Sequence, residues 1–165
     1  GFGWAKPVAI NPNNFKKPRL GMGLTACAGV VTNYVTAFFF YPILCVVVNY
    51  FPHITFLYNF LYSFIDFLVI YSLSFCVFNL LPLYPLDGFR IVDAVNKRRG
   101  KIYRFLRNYG YYILLGLILE SFICRVFVNL NVEIMGYFNI LGWFMTFATK
   151  ILGWPITALW GLVPW

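Results

Sequence analysis

The chain has 165 residues, 61% of them hydrophobic and only 11% charged. A soluble domain carries about 25% charged residues, so this composition excludes an ordinary water-soluble domain and indicates one compact integral membrane unit. A formal net charge of +8 would raise nucleic acid as a partner for a soluble protein; here the basic residues gather at the ends of apolar runs, where topology and anionic headgroups account for them and no nucleic-acid partner is expected.

Residues 1–19 are broken by Gly1, Gly3, Pro7, Pro12 and Pro18 and carry no helical pattern. Within them Trp4, Lys6, Pro7 and Val8 lie in a stretch that alternates as an extended strand or hairpin arm would, a plain juxtamembrane linker being the alternative. Residues 20–48 form the first apolar run, longer than the ~20 residues a spanning helix needs. Its first half is rich in small residues (Gly21, Gly23, Ala26, Ala28, Gly29), which let helices approach closely in lipid, so this half is expected to face other helices. The bulky second half, with Phe38, Phe39, Phe40, Ile43 and Leu44, is expected to face lipid, with Pro42 kinking or ending the helix. Asn33 needs an interhelical partner there. The next turn holds His53, the chain's only histidine, which reads as an interface residue rather than a metal ligand.

A second span is expected over residues 54–81, with Asp66 inside it in an open role: snorkelling, proton uptake or a polar contact. Residues 88–108 carry Arg90, Lys97, Arg98, Arg99, Lys101, Arg104 and Arg107 and read as a short basic amphipathic helix and loop on the membrane surface. A third span is expected over 111–128, interrupted by Glu120 and Arg125, which are not ideally spaced as a helical pair. A fourth is expected at about 135–152, with Gly153-Trp154-Pro155 breaking the apolar run at its end. Cys27, Cys45, Cys76 and Cys124 form no C-x-x-C pair and read as small buried hydrophobes. The expected fold is all-α, with about four transmembrane helices, a short extended or β-hairpin segment near the N-terminus and the basic surface helix. Eleven of the 13 basic residues fall in 1–19 and 83–108. By the positive-inside rule that side is cytoplasmic.

The stretch around which this pattern is organised is Asn79-Leu80-Leu81-Pro82-Leu83-Tyr84-Pro85-Leu86-Asp87-Gly88. Pro82 and Pro85 stop a continuous helix, and broken backbone at membrane depth is tolerated only where it is buried in protein or lines a cavity. Asp87, one of only five acids, is then either a functional side chain or a cap on the next helix.

Taken with Gly3-Trp4-Ala5-Lys6-Pro7-Val8 and with Ala28-Gly29-Val30-Val31-Thr32-Asn33, this pattern resembles the site-2 protease family of intramembrane zinc metalloproteases, and within it the small bacterial members. The likeness extends to Arg107-Asn108-Tyr109-Gly110. The resemblance implies that Asp87 is the third zinc ligand beside two histidines of an H-E-x-x-H helix, that Asn79 orients substrate or stabilises the oxyanion, and that residues 3–10 present a membrane-spanning protein substrate as an added strand. In such a site zinc lowers the pKa of its bound water towards 7 and polarises the scissile carbonyl. This sequence departs from the family at Val30, Tyr84 and Phe89, and it contains no H-E-x-x-H. The motif is expected ahead of Gly1, which makes the chain the C-terminal part of a longer protease in the cell membrane; an inactive relative or scaffold that binds transmembrane helices is the alternative. A transporter with Asp66, Asp87 and Glu120 as a proton path ranks last, because it gives the Asn79–Asp87 pattern no role.

Overall fold

The computed structural model describes residues 10–51, 56–96 and 98–162. These form five α-helices: α1 (Pro18–Tyr50), α2 (Phe56–Leu80), α3 (Asp87–Val95), α4 (Lys101–Asn129) and α5 (Ile140–Trp160), with short 3-10 turns at Pro12–Asn14 and Glu133–Phe138. No strand occurs among the described residues, and the expected strand at Trp4, Lys6, Pro7 and Val8 lies outside them, as does His53.

Three helices, α1, α2 and α4, are long and apolar enough to cross a membrane. Pro18 opens α1 at a position where a missing N–H costs nothing. Polar side chains in α1 satisfy themselves within the helix: the hydroxyls of Thr25, Thr32 and Thr36 donate to the carbonyls of Gly21, Ala28 and Thr32. This is what an apolar solvent demands of backbone and side chain alike. The helix runs through Pro42 without ending. The outer surface of the bundle is greasy, with Phe39, Phe56, Phe64 and Phe67 more than half exposed, as lipid-facing positions are.

The fourth expected span is only partly matched. Residues 135–152 divide between the Glu133–Phe138 turn and α5, and α5 passes unbroken through Gly153-Trp154-Pro155. α5, which carries Lys150, Pro155 and three tryptophans, is not one of the three helices long and apolar enough to cross a membrane. Glu120, midway along α4, explains the start of α5: its Oε1 accepts from the Ile140 backbone N–H at 3.1 Å. A side-chain acceptor at a helix N-terminus satisfies a donor that has no partner within the helix. Glu120 thus serves α5 and makes no ion pair with Arg125 among the described residues.

Packing corrects the expected division of α1. The main core cluster joins Ala37 and Val47 of α1 to Ile65, Val69 and Leu73 of α2 and Ile156 of α5, with Phe38, Phe40 and Leu44 packed against it. The bulky half of α1 therefore presents one side to the core and the other, Phe39 and Ile43, outward. The Trp160 indole N–H donates to the Phe38 carbonyl at 3.1 Å, tying the end of α5 to this half.

The small-residue half of α1 holds α3. The two run antiparallel, Arg19 meeting Asp93 and Asn96 at one end and Gly29 meeting Asp87 at the other. At Gly23 a Cβ would lie 2.4 Å from the Ala94 methyl, a contact neither backbone can relieve by rotating a side chain. Gly23→Ala is expected to destabilise the protein by about 2 kcal/mol. Adding Ala94→Gly should recover most of that loss, read from thermal unfolding of the detergent-solubilised protein; failure of the pair to recover would show that the helices do not meet here. With 33 residues, α1 is about 50 Å long, well beyond the ~30 Å hydrocarbon thickness. The expected surface helix is thus a helix packed along the first turns of α1, and of the other basic residues of that segment Lys101, Arg104 and Arg107 open α4.

Candidate functional site

The loop between α2 and α3 is a compact plug. Pro82 and Pro85 end α2 at Leu80 and delay the next helix until Asp87. Leu83 is buried, and Leu86 N–H donates to the Leu83 carbonyl at 2.8 Å. Phe89, in the first turn of α3, is buried with its ring 5.3 Å from that of Tyr103 in α4 and 6.0 Å from that of Tyr84 in the loop. The aromatic residue at 89 therefore pins α3 to α4. Gly110 completes the seam: a Cβ there would come 2.7 Å from the Tyr84 nitrogen, so α4 crosses the loop backbone at van der Waals distance.

Asp87 is the first residue of α3, but it does not cap the helix. The N-cap is Leu86, and no side-chain capping bond forms. The Asp87 carboxylate instead has Oδ1 3.5 Å from an Arg90 guanidinium nitrogen, and its Oδ2 lies 3.5 Å from where a Cβ on Gly29 would stand. Its side chain is 27% exposed. An ion pair this long and this open to solvent contributes little. The acid is thus held in place by the backbone and left with oxygens free of strong partners, facing a bare stretch of α1. Gly29 itself is exposed, as are Ala28 and Thr32 beside it, so this side of α1 is open next to the carboxylate.

Asn33 stands one turn beyond Gly29 on the same face of α1, half-buried. Asn79 ends α2, also half-buried. Neither makes a side-chain hydrogen bond to Asp87, to the other asparagine or to any described residue. The structure brings Asp87 to the α1 face that carries Gly29 and Asn33, while Asn79 lies at the end of α2. Asp66 likewise has no hydrogen bond or ion pair among the described residues, and Glu120 Oε1 serves α5, so no bond links the three acids of the transport reading.

Asp93 is a polar residue that the sequence pattern did not single out. Tyr103 Oη donates to its Oδ1 at 2.6 Å. Arg19 donates to the Asp93 carbonyl at 2.5 Å and the Asn96 carbonyl at 3.0 Å, and lies 3.4 Å from the Asp93 carboxylate. α3 has no basic residue in its own last turn; Arg19, 74 residues earlier, supplies the cation that its C-terminal carbonyls favour. Signal for this existed only in the composition, where acids are rare enough that each one is conspicuous.

Residues 54–120 match the profile of Peptidase family M50. A stretch of 94 residues is 39% identical to the Bacillus subtilis (strain 168) protein named "Putative zinc metalloprotease YwhC", covering 56% of this chain and 43% of that relative. Over residues 54–120 the chain is thus similar to the zinc metalloproteases of family M50. The M50 match contains α2, the plug, α3 and the first two-thirds of α4, and so contains Asn79 and Asp87. The chain thus spans less than half the length of that curated relative. No solved structure matches the chain.

Similarity to M50 points to zinc, and the donor set among the described residues falls short of it. They contain no group of three or more His, Cys, Asp or Glu side chains able to hold a metal. Asp87 has the right chemistry, a carboxylate with weakly engaged oxygens on an open face, but a single carboxylate does not fit a catalytic zinc, which takes three protein ligands. These residues alone do not make the metal centre.

Proposed function

We propose that the protein containing this segment is an intramembrane zinc metalloendopeptidase, and that this segment contributes Asp87 as one ligand of a site whose two histidines come from an H-E-x-x-H helix not included in this sequence. The reading is carried by one observation: the carboxylate of Asp87 is neither a helix cap nor part of a strong ion pair, and it faces the exposed backbone of α1 at Gly29. A helix carrying histidines and seated along that face would meet it. Asn79, at the end of α2 beside the plug, would orient a substrate peptide or its oxyanion. Residues 4–8, with Trp4, Lys6, Pro7 and Val8, would hold an unwound membrane-spanning substrate as an added strand, because a helix hides its peptide bonds until it is extended. The basic residues on the Asp87 side favour a cytoplasmic location for that side. The substrates are membrane-spanning proteins, and the enzyme works from within a cell membrane.

The test is the coding sequence upstream of Gly1. An in-frame helix bearing H-E-x-x-H is the expected finding. A natural start codon at the position of Gly1 would overturn the protease reading in favour of a helix-binding scaffold, since the ligand shortage would then be permanent.

A further inference from the structure

The corner where α3 hands over to α4 carries more positive charge than its contacts use. An open pocket of about 500 Å³ is lined by Arg98, Arg99, Arg104, Arg107, Tyr103 and Asn108. The acid that pairs with its wall is Asp93, and Asp93 is shared: Tyr103 donates to it at 2.6 Å, Arg19 lies 3.4 Å away and Arg99 4.0 Å away. Arg104 Nε donates to the Arg99 carbonyl at 3.3 Å. Arg98 and Arg107 have no ion pair among the described residues. Four arginines thus line one pocket, and the one carboxylate paired with its wall is already engaged by Arg19.

Beside this pocket lies a second of about 660 Å³, which shares Arg98 and Tyr103 with the first and is lined by Val92, Ile102 and Leu106. Its surface is almost wholly apolar. A cationic pocket opening onto an apolar groove suits a molecule with an anionic head and a hydrocarbon tail. The depth fits as well. α4 is long and apolar enough to cross a membrane and begins at Lys101, so the arginines sit at one end of a candidate span, where headgroups lie. In the first two turns of α4, Ile102 is 76% and Phe105 53% exposed, an outward apolar surface for acyl chains at the same level.

We propose that the α3–α4 corner is a binding site for an anionic phospholipid, its phosphate held by Arg98, Arg104 and Arg107 and one acyl chain laid in the groove of Val92, Ile102 and Leu106. Guanidinium groups match a phosphate bidentately, and each basic residue near an anionic headgroup adds to retention. Bound lipid would neutralise the repulsion among the arginines and hold α4 against α3.

The experiment titrates the detergent-solubilised full-length protein with dioctanoyl phosphatidylglycerol, dioctanoyl phosphatidylcholine and inorganic phosphate, bound species being counted by native mass spectrometry. Phosphatidylglycerol is expected to bind about tenfold or more tightly than either of the others. The Arg104→Gln/Arg107→Gln pair should lose that preference. The Lys16→Gln/Lys17→Gln pair removes the same charge elsewhere in the chain and should keep it. Equal losses in the two pairs would mean diffuse attraction and overturn the site; equal affinity for inorganic phosphate would make it a free-anion site and overturn the lipid. In the unmodified protein, phosphatidylglycerol binding should weaken as salt is raised, and salt-insensitive binding would overturn the arginine contacts even if the variants fold poorly.

Discussion

Asp87→Ala, made in the full-length protein, is expected to remove bound zinc and abolish cleavage of a membrane-spanning substrate while leaving the fold intact. The separation of the two effects is what the structure predicts. The Asp87 side chain makes no capping bond, and its pairing with Arg90 at 3.5 Å is a solvent-exposed contact worth at most about 1 kcal/mol. Removing it therefore costs little stability, whereas in the proposed zinc site it takes away one of three protein ligands and leaves zinc with too few to be retained. Metal content of the purified protein is the primary measurement, because it reads the ligand without relying on a substrate. Arg90→Ala is the control: it breaks the same ion pair from the other side and should leave zinc bound. A variant lacking the Asp87 carboxylate that still carries stoichiometric zinc would show that the third ligand is elsewhere.

How much of this was legible in the sequence depended on whether the cause was local. The ends of α2 and α3 were, because Pro82 and Pro85 act on their own segment. The lengths of α1 and α2 were, because uninterrupted apolar composition is itself the signal. The passage of α5 through Pro155 was not: its neighbour Ile156 is 1% exposed in a core built from α1 and α2, and that packing outweighs a local helix-breaking preference. The role of Asp93 depends on α1, α3 and α4 meeting at one point, and no window of sequence contains Arg19, Asp93 and Tyr103 together. Phe89 was legible only as a departure from a family pattern; its work of joining Tyr84 to Tyr103 appears in three dimensions. The proposed metal site was legible only as a pattern, for a chemical reason. A pattern can point to Asp87, but a zinc centre is a property of three converging ligands, and the described residues hold no such group.

The residue after Asp87 should be the most sensitive to change in stability. A Cβ on Gly88 would lie 2.3 Å from the Leu80 carbonyl oxygen and 2.4 Å from that of Leu81. Both are backbone atoms at the C-terminal end of α2, so neither can swing aside as a long side chain would. Gly88→Ala must push α3 away from α2, and α3 is held on its other faces by Gly23 against Ala94 and by Phe89 against Tyr103. The expected cost is about 3 kcal/mol, at the upper end for overpacking, seen as a lowered unfolding temperature of the detergent-solubilised protein. Gly116→Ala, in α4 with nothing within 4 Å of its Cβ position, is the matched control and should be neutral or slightly stabilising, because alanine is the better helix former. The two substitutions at the plug then fail differently. Asp87→Ala loses zinc at unchanged stability, whereas Gly88→Ala loses stability first and zinc because the carboxylate moves with α3. A Gly88→Ala protein as stable as the Gly116→Ala control would mean that α3 does not start against the end of α2, and the placement of Asp87 over Gly29 would fall with it.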